Sequence, residues 1–182
     1  MPTTRYLALL RGVNVGGKSP VKMPDLVRAL SADELCDVTT YIQSGNVLFS
    51  SESSDTTGLE SAIQACIDRT FSLDVAVAVM SAAEWQAVVA EAPPGWGQRP
   101  DSRHNLIVML GGASPSEVVA ALPPLKRDID SMAVGRRVVY QSNTLAGRGR
   151  SAFSKIVMTP IYKQVTIRNS NTTLKLAALL QS

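Results

Sequence analysis

The residues able to do chemistry collect in three polar loops. The first is Arg11-Gly12-Val13-Asn14-Val15-Gly16-Gly17-Lys18-Ser19 and the second is Gln43-Ser44-Gly45-Asn46. The third is Arg168-Asn169-Ser170-Asn171, with Lys175 close behind. Glycine lets backbone N–H groups approach an anion, and arginine and lysine add charge. Gly12 to Ser19 also spells G-x-x-x-x-G-K-[ST], the phosphate-binding loop of nucleotide triphosphatases. In that motif the lysine opens a long helix whose N–H groups hold the phosphates. Here Pro20 follows at once, Pro24 lies four residues on, and the apolar helical stripe begins only at Met23. The context argues against a true triphosphatase loop. An anion cradle and a plain strand-to-helix connection with solvated lysines both fit what is left.

A further basic loop, Gly147-Arg148-Gly149-Arg150, suits phosphate or RNA-backbone contacts, and equally a solvated surface loop. Asn169 and Asn171 fit a tight turn and helix cap. Lys175 falls in the first helical turn, where it opposes the helix dipole and is expected to face a counter-charge. Catalytic constellations are thin. His104 is the one histidine, and no paired carboxylates, metal-spaced ligands or Gly-x-Ser-x-Gly elbow occur. Neither a metal nor a cofactor is expected. Cys66 falls beside the Ile63/Ile67 stripe and reads as core. Cys36 lies among Asp33, Glu34 and Asp37, whose charge disfavours a thiolate. Trp85 reads as core, and Trp96 as a plug between domains or a stacking platform.

These loops need elements to hold them. The apolar pattern predicts a strand at residues 6–10, a helix from Met23, strands at 38–43 and 47–51, a helix after Thr57, and a strand at 75–79. Thr57/Glu60 and Ser81/Glu84 read as capping boxes. Ser44-Gly45-Asn46 reads as a hairpin joint. The order β-α-β-β-α-β is the ferredoxin-like arrangement. After Ala92 to Pro100, with three prolines and two glycines in nine residues, a similar order returns. It comprises a strand at 105–110, a helix capped by Ser114-Pro115-Ser116-Glu117, and strands at 128–132 and 136–141. A helix at 152–158, a strand at 164–168 and a last helix after Asn171 complete it. The expected fold is α+β, two packed ferredoxin-like sandwiches. Their bounds are 1–91 and 103–182, joined by a Pro/Gly linker at 92–102.

The chain has 182 residues and a net charge of +3. That total hides unlike halves, −5 for residues 1–91 and +8 for 92–182, with no carboxylate after Asp130. Such asymmetry marks a surface for phosphates, nucleic acid or an acidic partner, or the docking of one half on the other. No apolar run approaches a membrane span and no secretory signal opens the chain, so a cytoplasmic setting is expected.

The segments 6–18, 40–47, Ser154-Lys155 and 166–176 resemble the bacterial family catalogued as domain of unknown function 1697 (DUF1697). The resemblance implies a cytoplasmic α+β protein of two similar subdomains, with no established activity, substrate or cofactor. It makes Arg11, Asn14, Gly16, Gly17, Lys18, Gln43, Ser44, Gly45, Asn46, Arg168, Asn169, Asn171 and Lys175 signature positions. Two departures stand out: Ser19 where the family often has Asn, and Ser170 where it usually has Trp. The leading expectation is a binding module for an anionic ligand, with nucleotide, phosphorylated metabolite and RNA all open. The alternatives are an enzyme on a small anionic substrate using Lys18 or Lys175 near Ser44, and a structural or protein-interaction role, a homodimer in its simplest form.

Overall fold

The computed structural model describes residues 3–14, 21–33 and 35–181. Two compact units divide the chain: Met1–Gln86 together with Leu176–Ser182, and Ala87–Lys175. The Pro/Gly stretch is therefore part of the second unit, and the last residues of the chain are grouped with the first.

The first unit runs β1 (Thr4–Leu10), α1 (Met23–Ala32), β2 (Cys36–Tyr41), β3 (Asn46–Ser51), α2 (Thr56–Phe71), β4 (Val77–Ser81) and the start of α3 (Ala82–Ala90). Its sheet has the order β2-β3-β1-β4, and every pairing is antiparallel. This is the ferredoxin-like order predicted from the element sequence. Alternation along the strands places Tyr6, Ala8, Leu10, Val47, Phe49 and Val79 on one face, in a core with Leu26, Leu30, Ile63 and Ile67. Complete burial of side chains such as Leu26 and Leu30 stabilises the unit by about 1.5–3 kcal/mol each. Tyr6 and Phe49 stack at 5.5 Å on this face. Edge strand β2 carries a bulge after Cys36, where Asp37 has φ +50° and Arg5 Nη1 donates to its carbonyl at 2.8 Å.

Of the two capping boxes expected in this part of the chain, Ser81/Glu84 forms. Ser81 N–H donates to Glu84 Oε2 at 2.8 Å and Glu84 N–H to Ser81 Oγ at 3.2 Å. Thr57/Glu60 does not. Asp55 starts α2 by accepting from Gly58 N–H at 3.0 Å, and Glu60 instead accepts from Val79 N–H in β4. Aspartate caps as well as threonine, and a buried strand N–H needs an acceptor.

The second unit contains β5 (Ser102–Met109), α4 (Pro115–Ala121), β6 (Asp130–Val134), β7 (Val138–Thr144) and β8 (Val165–Asn169), then the start of α5 (Ser170–Leu179). Its sheet order, β6-β7-β5-β8, repeats the first and is again antiparallel. Ile107, Met109, Val139 and Val165 pack with Val118, Ile156 and Ile161 on one face. The helix expected at 152–158 is corrected: this region is a chain of 3-10 turns at Arg148–Arg150, Ala152–Met158 and Pro160–Gln164. Pro160 lacks an N–H and disfavours helix at the residue before it, so an α-helix cannot run through. Helix α5 begins at Ser170 rather than after Asn171, because Asn169 Oδ1 accepts from Thr172 N–H at 2.8 Å and acts as its cap.

Candidate functional site

In the first unit β1 ends against the β2–β3 turn. Leu10 N–H donates to Gly45 C=O at 2.8 Å. A Cβ on Gly45 would lie 2.7 Å from Leu10 Cβ, and its φ is +72°, so both space and backbone demand glycine there. Asn14, itself at φ +57°, donates from Nδ2 to Val21 C=O at 2.8 Å and to Gln43 C=O at 3.0 Å. Its Oδ1 accepts from Val21 N–H at 2.8 Å. Asn46, fully buried, donates from Nδ2 to Tyr41 C=O at 3.0 Å and to Ser44 Oγ at 3.3 Å. The two motifs thus meet, and their asparagines tie one backbone to another.

Ile42 sits in the same turn at φ +51° and is half exposed. A β-branched residue in the left-handed region is an outlier held by the bonds around it. A cavity of about 320 Å³ opens beside the knot, lined by Asn14, Val21, Lys22, Met23, Pro24 and Gln43. Gly16, Gly17 and Lys18 lie outside the described residues.

The second unit builds a different kind of place. The sheet face that is apolar at Ile107 and Met109 turns polar toward the start of β5. The register sets Met132, Gln141, Asn105 and Asn169 in one row and Asp130, Asn143 and Arg103 in the next. Asn105 Nδ2 donates to Gln141 Oε1 at 2.7 Å, Gln141 Nε2 to Asn143 Oδ1 at 3.1 Å, and Asn143 Nδ2 to Thr144 C=O at 3.2 Å. Asp130 is occupied by the Ser151 hydroxyl and by Ala152 N–H at 2.9 Å.

On the opposite face, His104 Nδ1 lies 2.7 Å from Ser142 Oγ and Nε2 lies 3.2 Å from Arg99 C=O. A carbonyl only accepts, so Nε2 is the donor to Arg99 C=O. Arg168 is on this face too, paired with Leu106 in register and 7% exposed. Its Nη1 donates to Thr166 Oγ1 and Ile167 C=O, and burial pushes the guanidinium down to about 10. Arg168 and Asn169 therefore serve different faces of one sheet.

A cavity of about 580 Å³ lies at the polar end, lined by Gln98, Arg99, Arg103, Asn105, Asn169 and Asn171 among others. Gly97, at φ +77°, lets the loop come close: a Cβ there would lie 3.3 Å from Ser170 Cβ. Arg99 and Arg103 are exposed, and among the described residues neither side chain makes a hydrogen bond or ion pair. Of the predicted residues, Asn169 and Asn171 line this cavity. Sequence reading missed Gln98, Arg99, Arg103 and Asn105. Their signal was Arg103 and Asn105 sharing the parity of the core residues Ile107 and Met109.

Other expectations resolve simply. Trp96 is buried within the second unit, edge-on to Tyr140 at 5.6 Å and to His104 at 6.3 Å. Lys175 is exposed and, among the described residues, has no ion-pair partner, so the expected counter-charge is not there. Arg148 and Arg150 are exposed. Cys66 is buried, and burial, followed by the charge of Asp33, pushes its thiol up. Among the described residues no His, Cys, Asp or Glu group could hold a metal ion, and no helix is long and apolar enough to cross a membrane.

Two four-stranded antiparallel sheets with helices, and a polar cavity in the second unit, define an α+β protein of repeated ferredoxin-like topology. The chain belongs to the family described as Protein of unknown function (DUF1697), which it matches over residues 3–140. The third motif lies beyond that match. A solved structure of a conserved bacterial protein from Streptococcus pneumoniae is similar, with a TM-score of 0.87 and 26% identity, covering 98% of this chain and 99% of that one. No curated protein matches the chain.

Proposed function

We propose that the chain is a binding module for an anionic, phosphate-containing ligand, held in the cavity of the second unit. The observation that carries this reading is the pair of arginines, Arg99 and Arg103, without partners over a cavity whose lining residues include no carboxylate. Guanidinium groups match phosphate geometry and are free here to pair with it. Asn169 and Asn171 supply neutral hydrogen-bonding groups alongside. Phosphorylated metabolite, nucleotide and RNA all carry the anion this site would take. A cytoplasmic setting agrees with two cysteines that form no disulfide.

In the first unit Asn14 and Asn46, rather than binding residues alongside Arg11, Gln43 and Ser44, favour a structural role. Asn14 and Asn46 spend their carboxamides on backbone groups. An enzymatic role for Lys175 lacks the burial that makes lysine an acid–base group.

Thermal-shift measurements with inorganic phosphate, pyrophosphate, AMP and homopolymer RNA test the reading. Stabilisation by a phosphate compound that is lost in Arg99→Ala/Arg103→Ala is the expected result. No shift with any of them, or a shift that survives the double substitution, overturns it.

A further inference from the structure

The carboxamide chain across β5 and β7 has a fixed direction. Thr144 C=O can only accept, so Asn143 must present Nδ2 to it. Asn143 Oδ1 then faces Gln141 Nε2, and Gln141 Oε1 faces Asn105 Nδ2. No amide in the series can flip without setting two donors or two acceptors against each other. The chain ends at the cavity, where Asn105 Oδ1 is left as an acceptor to which nothing donates among the described residues. Asn169 is fixed the other way. Its Oδ1 is taken by Thr172 N–H, which leaves Nδ2 as a donor in the cavity wall.

The wall therefore has donors at Arg99, Arg103 and Asn169, and an oriented acceptor at Asn105. Arg103 and Asn105 lie on one face of β5, about 7 Å apart by strand geometry. A fully ionised phosphate uses only the donors. A ligand that uses both carries a hydrogen-bond donor a short way from its anion, and with two arginines and no carboxylate in the lining a neutral hydroxyl suits the place better than an ammonium. The lining includes no Phe, Tyr or Trp on which a nucleobase could stack; its one ring, His104, is buried on the opposite sheet face against Ser142 Oγ and Arg99 C=O, and Trp96 is buried edge-on to Tyr140 and His104.

We infer that the ligand is a small hydroxylated phosphate ester, a sugar or polyol phosphate. Its phosphate sits on Arg99 and Arg103, and one hydroxyl donates to Asn105 Oδ1. This rests on the anion-binding reading above and narrows it.

Titration calorimetry of the full chain with inorganic phosphate, n-propyl phosphate, glycerol 3-phosphate, ribose 5-phosphate and AMP separates the two claims. Propyl phosphate is glycerol 3-phosphate without its hydroxyls, so the comparison is made on the unaltered chain. The expected result is that glycerol 3-phosphate or ribose 5-phosphate binds about tenfold tighter than propyl phosphate, because an acceptor that a bound ligand takes out of water and leaves unpaired is costly. AMP should bind no tighter than ribose 5-phosphate. Asn105→Leu, checked by its unliganded melting temperature, should close the gap between the hydroxylated esters and propyl phosphate. If propyl phosphate binds as well as the hydroxylated esters, or AMP is about tenfold tighter than ribose 5-phosphate, the ligand class is wrong and the anion reading stands. If no phosphate compound binds, the anion reading itself falls.

Discussion

The side chain of Asn14 closes on both the N–H and the C=O of Val21, each at 2.8 Å. It imitates a strand pairing with one residue and, through the same Nδ2, reaches Gln43 C=O at 3.0 Å. The first two motifs are joined by this amide rather than by a charged pair.

Replacing Asn14 should show the knot in stability. Asn14→Gly keeps the left-handed backbone and loses the hydrogen bonds, at about 1 kcal/mol per bond. Asn14→Ala should be worse by about a further 1 kcal/mol, since alanine resists that conformation. Asn14→Asp keeps the acceptor for Val21 N–H but turns a carboxylate oxygen toward two carbonyls. Urea unfolding should rank wild type above Gly, and Gly above Ala. An alanine variant as stable as wild type removes the knot from the account.

Gly45→Ala places a methyl 2.7 Å from Leu10 Cβ in a backbone at φ +72°. Overpacking and the left-handed conformation together should cost about 2–4 kcal/mol. Gly149→Ala, with nothing within 4 Å of its added Cβ, should change little. Paired melting curves measure the contrast.

Tyr140 gives a pH signature. Its hydroxyl donates to Val88 C=O at 2.6 Å, and burial, then the charge of Glu91, pushes its pKa up to about 12. An unfolded phenol ionises near pH 10. The folded state holds its proton where the unfolded state has released it. This contribution is full below about pH 10 and is lost as pH rises through about 12. Tyr140→Phe should cost about 1 kcal/mol at neutral pH through the lost hydrogen bond. It should also lose less stability than wild type between about pH 10 and 12. Unfolding by urea at pH 7 and pH 11 reads both effects.

The two thiols should separate by reactivity. Cys36 is exposed, whereas Cys66 is buried with its thiol pushed up by burial and Asp33. DTNB should titrate one thiol quickly in the native protein and the second only on unfolding. Cys36→Ser should abolish the fast phase. A fast second equivalent in the native state would contradict the buried placement.

The order of elements was legible because alternation and helical spacing are local properties of the chain. The hairpin glycine and the Ser81/Glu84 cap were readable for the same reason. Thr57/Glu60 misled because a second capable cap, Asp55, stood two residues earlier and a distant strand N–H claimed Glu60. The segment 152–158 had helical spacing, but spacing does not distinguish an α-helix from 3-10 turns when a proline follows.

The candidate site divided along similar lines. Asn14, Asn46 and Asn169 were visible as residues a packing role alone does not require. Their partners Val21, Tyr41 and Thr172 were not, since a side-chain amide serves a binding site and a turn equally well. Arg168 and Asn169 are neighbours in sequence, yet the strand sends them to opposite faces.

By itself, the sequence determined two repeated α+β units, a basic second half and three polar motifs, because these depend on composition and short-range pattern. The tertiary structure alone decided which polar residues share a wall. Register set Arg103, Asn105, Gln141 and Asn143 side by side, and a close glycine brought the loop carrying Arg99 against Ser170. Those are contacts between residues far apart in the chain, and no local period encodes them.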